Sequence, residues 1–144
     1  MQVNIKPAVD TDTINKVPTY GTEGAAAFDF YSNEGKSIFP REAQVFKTGW
    51  CFEVPESHVM LLVPRSGLGF KGVRLSNCIG VIDSDYRGEV MVKLQNDSMV
   101  SVSVSPGDRI AQGFIIPIER VDFNVVAELS STDRGKGGLG STGR

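Results

Sequence analysis

The stretch of the chain with the most potential for chemistry is the run from Gly80 to Gly88, Gly-Val-Ile-Asp-Ser-Asp-Tyr-Arg-Gly. It places the carboxylates of Asp83 and Asp85 beside the phenol of Tyr86 and the guanidinium of Arg87, directly after an apolar pair. A turn needs glycine and at most one aspartate. The surplus of charged and phenolic groups therefore favours a ligand-binding site. A polar hairpin loop without a ligand is the alternative for this stretch by itself.

A second polar cluster, Pro64-Arg65-Ser66-Gly67, follows an apolar run that is typical of a strand. The proline ends the strand, so the next turn exposes the N–H groups of Ser66 and Gly67 beside a guanidinium and a hydroxyl. Such groups together can cradle a phosphate. Arg-Ser-Gly is also a common surface turn, so the cluster by itself leaves both interpretations open.

Two more polar positions stand next to predicted strands. In Gly107-Asp108-Arg109-Ile110-Ala111-Gln112, Asp108 and Arg109 are expected to stabilise a turn by a local ion pair, while Gln112 could reach a ligand. Asp29 lies between Phe28 and Phe30, and this alternation predicts a strand whose carboxylate faces outwards or pairs with an arginine.

The composition limits the classes of function. A chain of 144 residues has the size of one domain. Its net charge of -2 gives no general attraction for nucleic acid or anionic membranes, so neither is an expected partner, and an anionic ligand would need placed arginines. Cys51 and Cys78 are expected to be buried reduced thiols, and the start of the chain does not resemble a signal peptide, which together predict a cytoplasmic protein.

The apolar segments are short and rich in β-branched residues, and turn residues separate them. Strands are predicted at Val59–Val63, Val90–Leu94, Val100–Val104 and Ile110–Ile118. A helical period is nearly absent, with one or two turns around Ser66–Lys71 as the candidate helix. The pattern predicts an all-β domain, a sandwich or jelly roll, over residues 1–130.

Residues 131–144 differ from this domain in composition. They are rich in glycine and contain a single apolar side chain, Leu139, so they cannot build a core. A flexible C-terminal arm is predicted here. Segments of this composition are commonly disordered tails, but their N–H groups and Arg134 could also close over an anion.

Together, five stretches resemble the five ordered motifs of the trimeric deoxyuridine triphosphatase (dUTPase) family. They are Ala26–Asp29, Pro64–Gly67, Gly80–Gly88, Gly107–Gln112 and Arg134–Gly143. The resemblance implies an enzyme that hydrolyses dUTP to dUMP and pyrophosphate with Mg²⁺, keeping uracil out of DNA and supplying dUMP for thymidylate synthesis. It also implies a homotrimer of jelly-roll subunits of the β-clip type, with each site between subunits and closed by the tail of a neighbour.

The resemblance assigns a role to each matching residue. Asp83 would activate the attacking water, and Tyr86 would lie against the deoxyribose where a 2′-hydroxyl would not fit. Uracil would be read by Asn77, Gly80, Val81, Ile82 and Met91. The triphosphate would be held by Arg65, Ser66, Gly67, Gln112 and Arg134, with Gly138, Leu139, Ser141 and Thr142 closing the arm. Structural support would come from Asp29, Asp85, Arg87, Asp108 and Arg109. Mg²⁺ would be bound through phosphate oxygens and water, with no direct protein ligand.

Two positions depart from the family pattern. Leu139 stands where the family usually has a phenylalanine that stacks on uracil, and Ala27 stands where glycine is usual. The related dCTP deaminases share the fold but use a glutamate and a different turn in place of Asp83–Arg87. A protein that signals through its dUTP-bound state is a further alternative, as is a structural β-sandwich without a site.

Overall fold

The computed structural model describes residues 1–8 and 16–138, and these residues form eleven strands and one short helix. In chain order the elements are β1 (Asn4–Pro7), β2 (Thr19–Tyr20), β3 (Phe28–Tyr31), β4 (Lys36–Ile38), β5 (Ala43–Glu53), β6 (His58–Val63), α1 (Ser66–Gly69), β7 (Val73–Leu75), β8 (Gly80–Ile82), β9 (Glu89–Asn96), β10 (Val102–Val104) and β11 (Arg109–Pro117).

The strands form three antiparallel sheets. One sheet has four strands in the order β1-β5-β9-β7, and a second has five in the order β2-β3-β11-β6-β8. A small sheet pairs β10 with β4. The non-consecutive neighbours show that the chain crosses repeatedly between the sheets, as in a jelly roll. The predicted all-β jelly roll is therefore confirmed.

The apolar core lies between the two larger sheets. Phe46, Val92 and Leu94 enter it from the four-stranded sheet, and Phe30 and Met60 from the five-stranded sheet, all of them fully buried. In β9 the residues alternate between buried and exposed, so that Val90, Val92 and Leu94 face the core. This alternation leaves the opposite face of β9 free to line a site.

The predicted strands agree with the structure at three places and differ at one. Val59–Val63, Val90–Leu94 and Ile110–Ile118 correspond to β6, β9 and β11. The strand predicted from Val100 begins only at Val102, because the Asn96 side chain donates to the Val100 carbonyl at 2.8 Å and holds a turn there. The predicted helical turn begins at Ser66 but ends at Gly69.

The longest strand, β5, was not predicted, because its apolar alternation is interrupted. Its pairing with β9 shifts register between Lys47 and Cys51, and Gly49 in this bulge has φ +79°. Thr48 is buried in the bulge and its hydroxyl donates to the Val90 carbonyl at 2.7 Å. A bulge of this kind aims the neighbouring strand, here the start of β9.

The two thiols lie in different environments. Cys51 is buried in β5, whereas Cys78 is exposed, so the expectation of two buried thiols is wrong for Cys78. Its N–H closes a turn onto the Leu75 carbonyl at 3.2 Å, and its φ is +62°, which places it in an exposed turn between β7 and β8.

In the described ranges, no helix has the length and apolar character that crossing a membrane requires.

After β11 the chain continues to residue 138 without a helix or strand. Its apolar side chains are exposed: Phe123 at 92% and Val125 at 95%, together with Val121 and Leu129. Monomers rarely leave so many large apolar side chains in water along one segment.

Candidate active site

Two adjoining cavities lie between β8 and β9. One, of about 140 Å³, is lined by Asn77, Gly80 and Lys93, and the other, of about 240 Å³, by Asp83, Tyr86 and Glu89. Both cavities share the side chains of Val81, Ile82 and Met91. The structure therefore brings together all seven residues for which the sequence predicted contacts with a base, a sugar or an attacking water.

Strand β8 is the outer strand of the five-stranded sheet, and within the described residues it pairs on one side only, with β6. Its other side can therefore offer backbone N–H and C=O groups to a ligand, as a sheet edge offers them to a peptide. Gly80 is needed for this position, because a Cβ there would lie 3.0 Å from Cβ of Leu62. The short strand thus sits closely against β6 while its free edge faces the cavity.

Asp83 and Tyr86 are held by the turn that follows β8. Asp83 is exposed, and its carbonyl accepts the Tyr86 N–H at 3.2 Å. The Tyr86 hydroxyl donates to the Glu89 carbonyl at 3.0 Å. A Cβ at Gly88 would lie 2.6 Å from Cζ of Tyr86, so only glycine lets the ring lie across the backbone there. The carboxylate and the phenol thus face one cavity from two fixed positions.

Asp85 and Arg87 were expected to give structural support to the site. In the described part of the chain they do not pair with each other. Arg87 instead donates to the Ser84 carbonyl at 2.6 Å and lies 3.9 Å from the Glu53 carboxylate. Asp85 and Arg87 line a separate polar cavity of about 400 Å³. Arg87 closes the turn from behind, while Asp85 lies away from the cavity that contains Asp83.

The second half of the site is a cluster of charged groups around Asp29, which is 7% exposed. Its Oδ1 accepts Nε of Arg65 at 2.7 Å, and its Oδ2 accepts Nη1 of Arg109 at 3.4 Å. Gln112, which pairs with Asp29 across β3 and β11, donates to the Pro64 carbonyl at 3.0 Å. One carboxylate therefore orients two guanidinium groups at the point where β6 ends, which is a suitable arrangement for binding phosphate.

Ser66 and Gly67 continue this cluster as the first residues of α1. The first N–H groups of a helix have no acceptor within it. A Cβ added at Gly67 would meet no atom within 4 Å, so the packing of the described chain does not require glycine at this position. A ligand that approaches the backbone closely would, in contrast, require glycine at position 67.

The expected ion pair between Asp108 and Arg109 is wrong for the described structure. Asp108 accepts the N–H of Ser105 at 2.8 Å and closes the turn that Gly107 makes with φ +85°. Arg109 turns instead to Asp29, 80 residues away in sequence. A long-range partner of this kind leaves no local signal in the sequence.

The two halves of the site lie far apart in one chain. Ile82 pairs with Met60, so Asp83 comes next to Val59, whereas the charged cluster begins beyond Val63. Arg65 lies six positions after Val59 and two beyond the end of β6, which is about 20 Å of extended chain at 3.3 Å per residue. Asp83 and the Asp29 cluster therefore lie towards opposite ends of β6 within one chain.

The arm residues are only partly covered by the structure. Nε of Arg134 donates to the Gly137 carbonyl at 3.0 Å, and Gly135 has φ +49°, so the arginine closes a local turn. Gly138 is exposed, and Leu139, Ser141 and Thr142 lie outside the described residues.

Among residues 1–8 and 16–138 no group of three or more His, Cys, Asp or Glu could hold a metal ion.

Glu89 lines the cavity but was not predicted from the sequence. The sequence did contain an indication of this position, because Glu89 and Met91 are two residues apart in one strand and therefore lie on the same face of it. A glutamate at the start of a strand is so common, however, that its type alone carries no functional information.

Residues 14–143 match the family model described as dUTPase. The chain is 39% identical over 132 residues to the deoxyuridine 5'-triphosphate nucleotidohydrolase of Escherichia coli, covering 89% of this chain and 87% of the relative. The enzyme of that name from an Anaeromyxobacter species is 45% identical over 130 residues, with 90% and 88% covered.

Solved structures show the same likeness. A mutant dUTPase of Staphylococcus bacteriophage 80alpha, determined with dUpNHpp, superposes with a TM-score of 0.89 at 26% identity and 99% coverage of both chains. A mutant dUTPase from phage phi11 of S. aureus, which showed the coordination of a structural Mg(II) ion, superposes with a TM-score of 0.81 at 23% identity. The superposition covers 91% of this chain and 100% of the phage phi11 chain.

Proposed function

The chain belongs to the dUTPase family and hydrolyses dUTP, and we propose that its two cavities bind deoxyuridine while the Asp29 cluster binds the triphosphate. The products of this reaction are dUMP and pyrophosphate. The relatives named above are nucleotidohydrolases, which favours hydrolysis of dUTP over deamination of dCTP.

The observation that carries this assignment is the free edge of β8 beside the smaller cavity. Uracil presents two acceptors with a donor between them, a pattern that the N–H and C=O groups of Gly80–Ile82 and the Asn77 amide can match. Cytosine presents a donor where uracil has an acceptor, and a mismatch of this kind costs roughly 1–3 kcal/mol. Met91 lines the same cavity, and exclusion of the 5-methyl group of thymine is assigned to the close fit of the base in it.

In the larger cavity, the deoxyribose lies against Tyr86 and the α-phosphate comes within reach of Asp83. Asp83 accepts a proton from the water that attacks the α-phosphorus, and pyrophosphate leaves from the opposite side. A positioned base of this kind contributes about 10²- to 10⁴-fold to the rate.

The leaving pyrophosphate is held by Arg65 and by the hydroxyl of Ser66, while Gln112 contacts the α-phosphate. Arg134 reaches the γ-phosphate once the arm closes. Arg65 enters the reaction already oriented, because Asp29 accepts a hydrogen bond from its Nε at 2.7 Å and the Arg109 carbonyl accepts one from its Nη1 at 3.4 Å. Bound Mg²⁺, held by phosphate oxygens and water, would supply further neutralisation of the triphosphate charge.

The active assembly is a homotrimer with sites shared between subunits. This part of the proposal is supported by the distance between Asp83 and Arg65, because the missing half of each site must come from another copy. The exposed apolar side chains of Phe123 and Val125 also need a partner surface. The arm of residues 131–144 closes a site on a neighbouring subunit. Two unpaired cysteines are typical of the reducing cytoplasm, where we place the reaction.

The test is release of pyrophosphate from dUTP, with dCTP, dTTP and UTP as alternative substrates. Only dUTP should be hydrolysed efficiently, and Asp83→Asn should lower kcat by about 10²- to 10⁴-fold. Asp85→Asn is the matched control, since it removes the same charge two residues away on the other cavity. Full activity of Asp83→Asn would refute the role of this carboxylate, and ammonia release from dCTP would refute the assigned reaction.

A further inference from the structure

Tyr86 is held by the last residue of its own motif and by the residue that follows the motif. Its hydroxyl donates to the carbonyl of Glu89, the first residue of β9, and its ring crosses the backbone at Gly88. The ring is 40% exposed, so little packing fixes it from the cavity side. Its orientation therefore depends on where the Glu89 carbonyl lies.

The position of Glu89 is set by the bulge in β5. The regular pairing of β5 with β9 is interrupted between Lys47 and Cys51, next to the start of β9. In this gap the N–H of Gly49 donates to Oε1 of Glu89 at 2.8 Å. The Thr48 hydroxyl holds the next carbonyl of β9, that of Val90, at 2.7 Å. Glu89 also pairs with Cys51, so these side-chain hydrogen bonds bridge the irregular stretch between that pair and the pair of Lys47 with Met91.

We propose that Glu89 is a positioning residue for the selection of deoxyribose over ribose. Its carboxylate anchors the first residue of β9 on the Gly49 N–H, and the carbonyl of that residue holds the Tyr86 phenol against the sugar site. The inference rests on the proposed role of Tyr86 as the wall that excludes a 2′-hydroxyl. A hydrogen bond from an N–H to a carboxylate is stronger than one between neutral groups, so this anchor is well suited to fix a strand end.

Glu89 also lines the cavity that contains Asp83, so a direct role in catalysis must be separated from positioning. Glu89→Gln makes this separation, because the amide oxygen can still accept the Gly49 N–H but cannot act as a base. Glu89→Ala removes the acceptor, with Glu89→Leu as a second removal variant of similar size. Tyr86→Phe removes only the hydrogen bond to the Glu89 carbonyl, and Tyr86→Ala removes the ring.

The measured quantity is the ratio of kcat/KM for dUTP to that for UTP in the full-length protein, with Ki for UTP where its turnover is too slow. Glu89→Ala and Tyr86→Phe should each lower this discrimination by about tenfold, and Glu89→Gln by less than about threefold. The double variant Glu89→Ala/Tyr86→Phe should lose little more than either single variant, because both act through one contact. Ile38→Val, a buried truncation in the small sheet, controls for lost stability: its Tm should fall without a change in discrimination.

Each other outcome overturns a defined part of the reasoning. If Tyr86→Ala leaves discrimination unchanged, the proposed role of Tyr86 is wrong and the inference fails with it. If Tyr86→Ala and Tyr86→Phe lower discrimination but the removal variants of Glu89 lower only Tm, the role of Tyr86 stands and the positioning role of Glu89 is refuted. Additive losses in the double variant would also refute it. A large loss of kcat in Glu89→Gln with normal discrimination would make Glu89 a catalytic group instead.

Discussion

Mixing two inactive variants tests whether each active site is shared between subunits. Asp83→Asn removes the proposed water-activating carboxylate that follows β8, and Arg65→Ala removes the proposed phosphate-binding guanidinium that follows β6. In one chain, Asp83 lies beside the start of β6 and Arg65 two residues beyond its end, about 20 Å away, so each substitution leaves the other half of the site intact. If a site takes Asp83 from one subunit and Arg65 from the next, a mixed assembly can contain sites in which both halves are native.

The recovered activity follows from counting subunits. In an equal and random mixture, the subunit that supplies the hairpin carries native Asp83 half of the time, and the adjacent subunit carries native Arg65 half of the time. About a quarter of all sites are then intact, so activity should reach about a quarter of the wild-type value in a closed ring of three. At other mixing ratios the recovery should be smaller, with a symmetrical maximum at equal amounts.

The assay unfolds and refolds the two variants together, or produces them in the same cells, and measures pyrophosphate release as a function of mixing ratio. Each variant treated alone in the same way gives the baseline, and wild type that has been refolded gives the scale. Sedimentation then reports whether the mass is that of three chains. Activity that stays at the baseline at every ratio, in assemblies shown to contain both variants, would refute the shared site.

Three further predictions concern single residues. Asp29→Asn removes the charge that orients Arg65, so kcat/KM for dUTP should fall by about tenfold to a hundredfold. Inhibition by dUMP, which lacks the β- and γ-phosphates, should change little. Equal losses in kcat/KM for dUTP and in affinity for dUMP would contradict a role of Asp29 at the β- and γ-phosphates. Leu139→Phe should lower KM for dUTP, since stacking of a base on an aromatic ring is worth roughly 1–3 kcal/mol, and an unchanged KM and kcat would refute closure of the arm over uracil. Burial raises the pKa of Glu34, but hydrogen bonds and positive charge from Lys36 and Lys47 outweigh it, so the folded pKa lies below 4.5. A carboxyl whose pKa is lowered by folding stabilises the folded protein at pH values above its unfolded pKa, and this stabilisation is lost as the pH falls through the folded pKa. Glu34→Gln lacks this carboxyl. Between about pH 5 and about pH 3, the Tm of Glu34→Gln should therefore decrease less than the Tm of wild type.

The fold could be predicted where a strand carries its own pattern. Val59–Val63 is a continuous apolar run because β6 lies between β11 and β8, and Val90–Leu94 alternates because β9 has one buried face. β5 has neither pattern along its full length, because Thr48 and Gly49 form a bulge. These two residues make hydrogen bonds to β9, a strand that is distant in sequence. Val100 has the right type for a strand but is 66% exposed in a turn held by the Asn96 side chain.

The candidate site divides in the same way. The residues from Asn77 to Met91 are close in sequence and fold into one hairpin region, so their grouping in two cavities could be expected from local spacing. Arg109 was expected to pair with its neighbour Asp108, yet its carboxylate partner is Asp29, which only the pairing of β3 with β11 brings close. Glu89 was missed because its contact with Gly49 depends on the register shift in β5.

The free edge of β8 has a consequence for the solubility of the enzyme. Unpaired strand edges invite another chain to add a strand, and proteins commonly protect them from aggregation. The edge that we propose binds a nucleobase cannot be covered by a permanent neighbour. In the described structure β8 is only three residues long and ends in the charged turn that begins with Asp83, so the edge can accommodate a flat heterocycle but is too short to template a peptide strand. The short length of β8 is therefore also what protects this edge from strand-to-strand aggregation.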